Sequence, residues 1–128
     1  MVLMADLPED EVERLLEKFP LTALTDKTII DKRLFKKRLK IVRSQGYAVE
    51  DGEVMDLVGN VSAPIRDYSG KVIAALGVSY IAHSKDKKTL EFIITETVKT
   101  ALLISQSMGY VSKTNEKIYS NLKWSRRN

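Results

Sequence analysis

The chain has 128 residues, of which 44% are hydrophobic and 30% are charged, as is ordinary for a globular domain with one core. No apolar run approaches the roughly 20 residues that cross a bilayer, so we expect no membrane partner. Because cysteine is absent, disulfides, thiolate metal sites and cysteine nucleophiles are excluded, and the composition fits a reducing, cytoplasmic location. The net charge of +4 lies in residues 113–128, which carry five cations and one acid. We therefore expect a folded domain over residues 1–112 and a basic tail over 113–128.

The first predicted element is a helix over residues 8–19, which Pro20 brings to an end. Apolar residues recur there at the spacing of one helix face, and acidic residues fill the first turn, where the helix dipole favours them. Residues 1–25 carry a net charge of −4, with six acids and two cations, so this helix is acidic. Its predicted inward residues are Val12, Leu15, Leu16 and Phe19.

A second helix is predicted between Asp31, a typical N-cap, and Gly46, a typical residue after a helix end. Seven cations between residues 32 and 43 make its outer surface strongly basic. We interpret that surface as solvent-facing, or as an interface with an acidic partner such as the first helix. Binding to nucleic-acid phosphates is a further alternative, although the basic–aromatic interleaving that stacks bases is missing. The predicted inward residues are Leu34, Phe35, Leu39, Ile41 and Val42.

Two strands, residues 58–66 and 71–80, are predicted on either side of a turn. Pro64 removes one ladder hydrogen bond, which indicates an edge or a bulge near it. A long helix is predicted from Asp86 to Met108. Two strands alone make a poor sheet, so the chain looks short of strands. The predicted apolar stripe of the long helix consists of Leu90, Ile93, Ile94, Ala101, Ile104 and Met108.

No pattern in the sequence predicts catalysis or a metal site. His83 is the single histidine, and no nucleophile elbow or oxyanion signature accompanies the serines near it, so we interpret it as a solvated loop or helix-start residue. Four acids could in principle bind a metal or form an acid–base pair, but their spacing matches no EF-hand loop and is equally typical of a surface loop. We therefore expect that the chain is not an enzyme and that it binds neither a metal nor a cofactor. The four acids are Glu50, Asp51, Glu53 and Asp56.

The predicted hairpin places polar and small residues on one face. If the two end residues of its turn pair with each other, Asn60 faces Gly77 and Val58 faces Ser79. An amide and a hydroxyl among small residues suit the floor of a pocket, because the glycine leaves room and the polar groups can bind a ligand. The same pattern also fits an ordinary sheet surface, and a G1 bulge in the turn would alter the register.

Several stretches resemble the effector-binding domain of the IclR family of transcriptional regulators, in the family's order from about Leu3 to Gly109. An acidic helix follows the first of them, and the others include the predicted hairpin. They are "MADLP" at 4–8, "TDKTI" at 25–29, "VRSQGYAVEDGEV" at 42–54, "VSAPIRDYSGKVIAALGVS" at 61–79 and "ISQSMG" at 104–109.

The resemblance implies an α/β fold of the α+β kind, related to GAF and profilin-like sensors, with a curved antiparallel sheet and packed helices. It implies a small organic acid as effector and self-association as a dimer or tetramer. DNA would be contacted only through a winged helix-turn-helix domain that this chain does not contain. By position, the ligand-binding residues implied are Glu50, Val58, Asn60, Gly77 and Ser79.

The chain also departs from the family. Leu57 and Gly77 stand where relatives usually have Gly and Ser, and Tyr80-Ile81 replaces Gly-Pro. The resemblance begins partway through the family's domain, so we expect its first strands to be missing. The alternative to ligand sensing is a ligand-free protein–protein interaction or oligomerisation module, in which the basic helix and tail dock on an acidic partner.

Overall fold

The computed structural model describes residues 1–82 and 86–111, so His83 and the predicted tail lie outside the described residues. The strands form one antiparallel sheet in the order β1–β2–β3, and the fold is of the mixed α+β class that was predicted. None of the helices in the described ranges is long and apolar enough to cross a membrane. The elements are α1 (Val2–Ala5), α2 (Glu9–Lys18), α3 (Lys32–Gln45), β1 (Ala48–Asp51), β2 (Val58–Arg66), β3 (Val72–Ile81) and α4 (Lys87–Ser107).

The two long helices begin at aspartate caps, of which Asp31 was predicted as a cap and Asp86 as the start of a helix. The Asp31 carboxylate accepts hydrogen bonds from the backbone N–H groups of Arg33 and Leu34, at 2.8 and 3.0 Å. The bond from Leu34 is the main reason why the pKa of Asp31 lies below its ordinary value. Asp86 accepts from the N–H of Thr89 at 2.7 Å and so caps α4 in the same way. Gly46, with φ of 84°, ends α3 in the left-handed conformation that glycine adopts without strain.

The sheet contains a strand that the sequence analysis missed. β1 has four residues and pairs with β2 from Ala48 opposite Ser62 to Asp51 opposite Gly59. It supplies the third strand that two predicted strands lacked. Pro64 lies beyond the end of β1, where β2 has a neighbour on one side only, and a bulge follows between Ile65 and Arg66. The missing N–H of the proline is thus tolerated, as predicted.

The hairpin register differs from the prediction by two residues, through two separate shifts of one. In the turn, the N–H of Asp67 donates to Lys71 O rather than pairing with Gly70, whose φ is 83°. At the bulge, the pairing changes again, from Arg66 opposite Val72 to Ile65 opposite Ala74. Since side chains alternate with a period of two, a total shift of two leaves every residue on its predicted face.

Helices cover the two faces of the sheet unequally. On one face, Ala48 joins a core formed by α1, α2 and α3, whose members include Val12, Leu16, Leu39 and Val42. On the other face, α4 packs against β2, where Val61 and Ala63 are fully buried. We call the face that carries Ala48 the α3 face and the opposite one the α4 face. On the α3 face, β3 stays exposed at positions 73, 75, 77, 79 and 81.

Three predicted inward residues are exposed. Phe19 is 62% exposed because α2 ends before it, and Leu34 and Ile41 are 59% and 47% exposed on the outer side of α3. The stripe predicted for α4 is also partly wrong. Ile104 and Met108 are exposed, and the residues buried there are small ones that let α4 approach the sheet closely. These buried residues are Thr97, Ala101 and Ser105.

Candidate functional site

Three of the predicted ligand-binding residues form one row across the three strands. Glu50 of β1 pairs with Asn60 of β2, which pairs with Ser79 of β3, so all three side chains lie on the α3 face. The Asn60 amide nitrogen donates to the Ser79 hydroxyl at 3.2 Å. Asn60 and Glu50 are half-buried and Ser79 is exposed. We call Glu50, Asn60 and Ser79 the polar row.

The other two predicted residues share this face but have different partners from those expected. Gly77 lies opposite Ser62 rather than Asn60, and Val58 lies opposite Ile81 rather than Ser79, because of the two register shifts. Gly77 is exposed, and a Cβ atom placed there would meet only the Asn60 amide, at 3.4 Å. The exposed sheet surface beside the Asn60–Ser79 pair is therefore open enough to receive a small molecule.

Behind the polar row, Tyr80 ties the strands together on the α4 face. Its ring lies directly over Gly59, where a Cβ atom would overlap the ring. Its hydroxyl donates to the backbone carbonyl of Glu50 at 3.4 Å. Sequence reasoning did not find this contact. The sequence features that could have indicated the contact are Gly59, the glycine beside Asn60, and Tyr80-Ile81 in place of the family's Gly-Pro.

The loop before α3 is fastened to the end of β1 by two threonines. The Thr25 hydroxyl donates to Gly52 O, and the Thr28 hydroxyl donates to Glu53 O, both at 2.6 Å. The Thr28 oxygen also accepts from the N–H groups of Leu24 and Thr25. We call this arrangement the threonine clasp. It explains why a T-x-x-T pattern occurs here, a function that the sequence pattern alone did not indicate.

The clasped loop forms one wall of a cavity of ≈ 140 Å³ that includes Glu50. Glu50, Glu53, Thr28, Leu24 and Phe35 are among its lining residues, and we call it the Glu50 cavity. The Glu50 carboxylate makes no hydrogen bond or ion pair with the part of the chain that the structure describes. A ligand hydroxyl or a water can therefore bind it.

Glu53 is the buried acid of this cavity. Burial raises the pKa of Glu53, and the nearby Glu50 charge adds to the effect, while the Arg38 guanidinium opposes it. Arg38 donates to the Glu53 carboxylate at 3.1 Å and to Val49 O at 2.9 Å, which fixes α3 to β1. Glu53 is therefore paired within the fold, whereas the Glu50 carboxylate has no such pair within the described residues.

Three of the seven cations of the basic helix bind other parts of the chain, and Arg33 lies 3.9 Å from Asp31, the cap of its own helix. Lys36 is ion-paired with Glu13 of α2, Arg38 binds Glu53, and Arg43 donates to the carbonyls of Asp6 and Leu7. The other four cations of α3 are exposed, which agrees with a largely solvent-facing surface. They are Lys32, Arg33, Lys37 and Lys40.

No metal centre forms in the described ranges, 1–82 and 86–111. Nowhere in them do three or more His, Asp or Glu side chains come close enough to share an ion. The four acids between positions 50 and 56 therefore do not converge on a common point. Glu53 is in an ion pair with Arg38, and Glu50, although its charge helps to raise the pKa of Glu53, makes no such pair within the described residues.

Comparison with known proteins decides the family. Residues 1–106 match the family described as bacterial transcriptional regulator IclR, C-terminal. The chain belongs to the IclR family. Its relatives are transcriptional regulators rather than enzymes, in agreement with the absence of a catalytic pattern from the sequence.

Two relatives from Escherichia coli illustrate how much of an IclR-family protein this chain covers. XynR is 31% identical over 109 residues, 85% of this chain and 43% of XynR. The KdgR C-terminal domain, known from a crystal structure, is 30% identical in sequence and has a TM-score of 0.79. The match covers 85% of this chain and 66% of the KdgR domain. The chain thus spans less than half the length of XynR, and two thirds of an isolated C-terminal domain.

A more distant structure shares the fold. The inducer-binding domain of Acinetobacter PobR, a double mutant in complex with 3-hydroxybenzoic acid, has a TM-score of 0.75 and is 22% identical. The match covers 87% of this chain and 62% of the PobR domain. At that identity the likeness concerns the fold alone.

Proposed function

We propose that this chain is a ligand-sensing part of an IclR-type regulator and that it binds a small organic acid at the polar row. The observation that carries the proposal is the meeting of Glu50, Asn60 and Ser79, one from each strand, on the exposed part of the sheet. An acceptor-only carboxylate beside an amide and a hydroxyl suits a ligand that carries both a hydroxyl and a carbonyl or carboxylate.

The charge of Glu50 sets the orientation of the ligand. A carboxylate pressed against Glu50 would be repelled, so the ligand presents a hydroxyl to Glu50 and directs its acid group towards Asn60 and Ser79. Val58 packs against the carbon skeleton, and Gly77 leaves room for it. The PobR domain, in which the same fold holds 3-hydroxybenzoic acid, supports a ligand that carries both a hydroxyl and a carboxylate.

Binding would act on DNA through the arrangement of subunits. In this proposal, a cytoplasmic dimer or tetramer holds winged helix-turn-helix domains, and the ligand stabilises one arrangement over another. The ligand can shift that equilibrium only by as much as its affinity differs between the two arrangements.

A thermal-shift and calorimetric screen tests the proposal on the whole 128-residue chain. Lactate, 3-hydroxybutyrate, gluconate and 3-hydroxybenzoate serve as probes, and we expect at least one to bind with millimolar or better affinity. The Asn60→Ala/Ser79→Ala variant is expected to weaken that binding about tenfold or more, because two hydrogen bonds to a charged group are lost. Gln106→Ala/Ser107→Ala, which removes an exposed amide and hydroxyl from α4, is the matched control. Unchanged affinity in the first variant would refute the proposal.

A second candidate, a ligand-free interaction module, is favoured by the outer side of α3. Leu34 and Ile41 are exposed there at a spacing of seven residues, with Lys37 between them. Sedimentation equilibrium of Leu34→Gln/Ile41→Gln, with Leu103→Gln on α4 as control, tests this surface. Loss of self-association in the α3 variant, with no binding of any probe acid, would favour the interaction module over the sensor.

A further inference from the structure

A second concavity lies between α3 and the segment that contains α1 and the start of α2. Its lining differs from that of the Glu50 cavity. Phe35 of α3 lines the Glu50 cavity, whereas Leu39, Lys40 and Arg43 of α3 line this second concavity. Its volume is ≈ 70 Å³. We call it the α1–α3 groove. The lining residues that matter here are Met4, Leu7, Val12, Leu39, Lys40 and Arg43.

The floor of the groove is apolar and well supported. Val12 and Leu39 are buried members of the core, and Met4 and Leu7 are half-buried and pack against it. A hydrocarbon chain lying on this floor would be removed from water on one side. The floor therefore favours the aliphatic part of a ligand.

One end of the groove is positively charged. Lys36, at the other end, is neutralised by its ion pair with Glu13 and by Glu9, at 3.8 Å. Lys40 is exposed, and within the described residues its ammonium group has no carboxylate partner. Lys40 and Arg43 are three residues apart on the helix, so their side chains are neighbours.

Arg43 is held in place and keeps donors for a ligand. One of its terminal nitrogens, Nη2, donates to Asp6 O at 3.0 Å and to Leu7 O at 3.2 Å. A guanidinium has five N–H groups, so the other nitrogens keep donors that no described protein group accepts. A fixed guanidinium beside an ammonium suits a carboxylate, which can accept from both.

We propose that the α1–α3 groove binds a small aliphatic monocarboxylate, with its carboxylate at Lys40 and Arg43 and its chain on the apolar floor. The volume limits the chain to a few methylene groups. It is about half of the ~150 Å³ cavity that holds a benzene ring in an engineered protein, so the end of a longer chain would extend along the open side of the groove. This site is separate from the polar row and opposite to it in charge.

NMR titration of the isotope-labelled 128-residue chain with hexanoate tests the site, with acetate and 1-hexanol as comparison probes. We expect saturable shifts in the backbone amides of Leu7, Lys40 and Arg43. Hexanoate is expected to bind at least about tenfold more tightly than acetate, because its additional methylene groups are removed from water on the apolar floor. 1-Hexanol, which lacks the charge, is expected to bind more weakly than hexanoate.

Substitutions separate the groove from general basicity. Lys40→Gln is expected to weaken hexanoate binding about threefold, within the range for an exposed ion pair, and Lys37→Gln on the outer side of α3 is expected to leave it unchanged. Arg43→Lys, which keeps the charge but loses the fixed fork, provides a second variant. Equal weakening by Lys37→Gln and Lys40→Gln, equal affinity for acetate or 1-hexanol, or no saturable shift would overturn the proposal. Loss of hexanoate binding in Asn60→Ala/Ser79→Ala would also overturn it and would assign the acid to the polar row.

Discussion

Two glycines of the sheet lie near the polar row but have different roles. Gly59 on the α4 face lies under the Tyr80 ring, so its lack of a side chain is needed for packing. Gly77 on the α3 face is exposed, and a Cβ atom there would meet only the Asn60 amide. The two residues look alike in the sequence, because what differs is a ring that crosses from the neighbouring strand.

Gly59→Ala should destabilise the fold. The added methyl group overlaps the Tyr80 ring, and overpacking of this kind costs about 1–3 kcal/mol. Urea unfolding measures the loss, and Gly77→Ala, which meets only an amide at 3.4 Å, is expected to change the unfolding free energy by less than about 0.5 kcal/mol. Equal losses in the two variants would contradict the different roles that we assign to them.

Gly77→Val should block the ligand without harming the fold. A branched side chain on the exposed strand would occupy the surface beside Asn60 while suiting the strand conformation. Calorimetry with the probe acid that binds best should show at least about a tenfold loss of affinity, equivalent to about 1.4 kcal/mol. Ala75→Val, one position along the same face of β3, is the control and should bind normally. Normal binding by Gly77→Val would exclude a ligand over this part of the sheet.

At the scale of elements, the threonine clasp determines where the loop before α3 lies. Thr25 and Thr28 bind carbonyls that are 27 and 25 residues away in sequence, and this brings the loop against the Glu50 cavity. A hydroxyl that satisfies a carbonyl from another element cannot be recognised from spacing, since threonine at this spacing equally caps local turns. The clasp therefore had to be seen in the structure.

Thr28→Val should loosen this wall of the cavity. The change keeps the shape but removes a donor to Glu53 O and an acceptor for two N–H groups, so we expect a loss of about 1–3 kcal/mol in the unfolding free energy. Urea unfolding measures it. Thr22→Val, which changes an exposed threonine with one long bond to Pro20 O, is the matched control. If both variants were equally stable, the clasp would have no structural role.

The sequence predicted the long helices well because their ends carry local signals. Asp31, Gly46 and Asp86 act within one helical turn, and each lies where it was predicted. β1 was missed because its four residues, Ala48–Asp51, are too few to show a periodic pattern. Leu34 and Ile41 were wrongly predicted to face the core. The five apolar residues of α3 form two stripes, and periodicity does not say which stripe meets the core.

The face of the hairpin was predicted, although its register was not. The bulge at Ile65 and the turn at Asp67 each shift the pairing by one residue. Either shift alone would have separated Asn60 from Ser79 by sending one of them to the other face. The prediction therefore succeeded on the pattern of faces, which two shifts preserve, and failed on partners, which depend on bulge geometry.

At the scale of the whole molecule, stability should fall in acid. Several carboxylates have a lowered pKa: Glu13 from an ordinary 4.5, through Lys36, and Asp31 and Asp86 from 3.8, through the backbone N–H groups that they cap. Their stabilisation is complete above those ordinary values and is lost as the pH falls through the lower values of the folded state. Glu53 acts in the opposite sense, because its raised pKa favours the folded protein at low pH and costs stability as the pH rises above 4.5.

Thermal unfolding between about pH 6 and about pH 3 measures this balance. We expect the midpoint temperature of unfolding to decrease once the pH is lowered below about 4.5. The decrease should be smaller in Asp31→Asn/Asp86→Asn, since asparagine still caps a helix but does not titrate. Glu53→Gln, which removes the opposing group, should make the drop steeper. A midpoint that does not vary over this range would mean that these contacts are absent in solution.

A crystal structure of the chain with the tightest-binding probe acid would show whether a small organic acid binds on the polar row. We expect a ligand hydroxyl within hydrogen-bond distance of the Glu50 carboxylate, polar atoms of the ligand at Asn60 and Ser79, and its carbon skeleton over Gly77. A ligand bound elsewhere, including in the α1–α3 groove, with the polar row left free, would contradict this expectation.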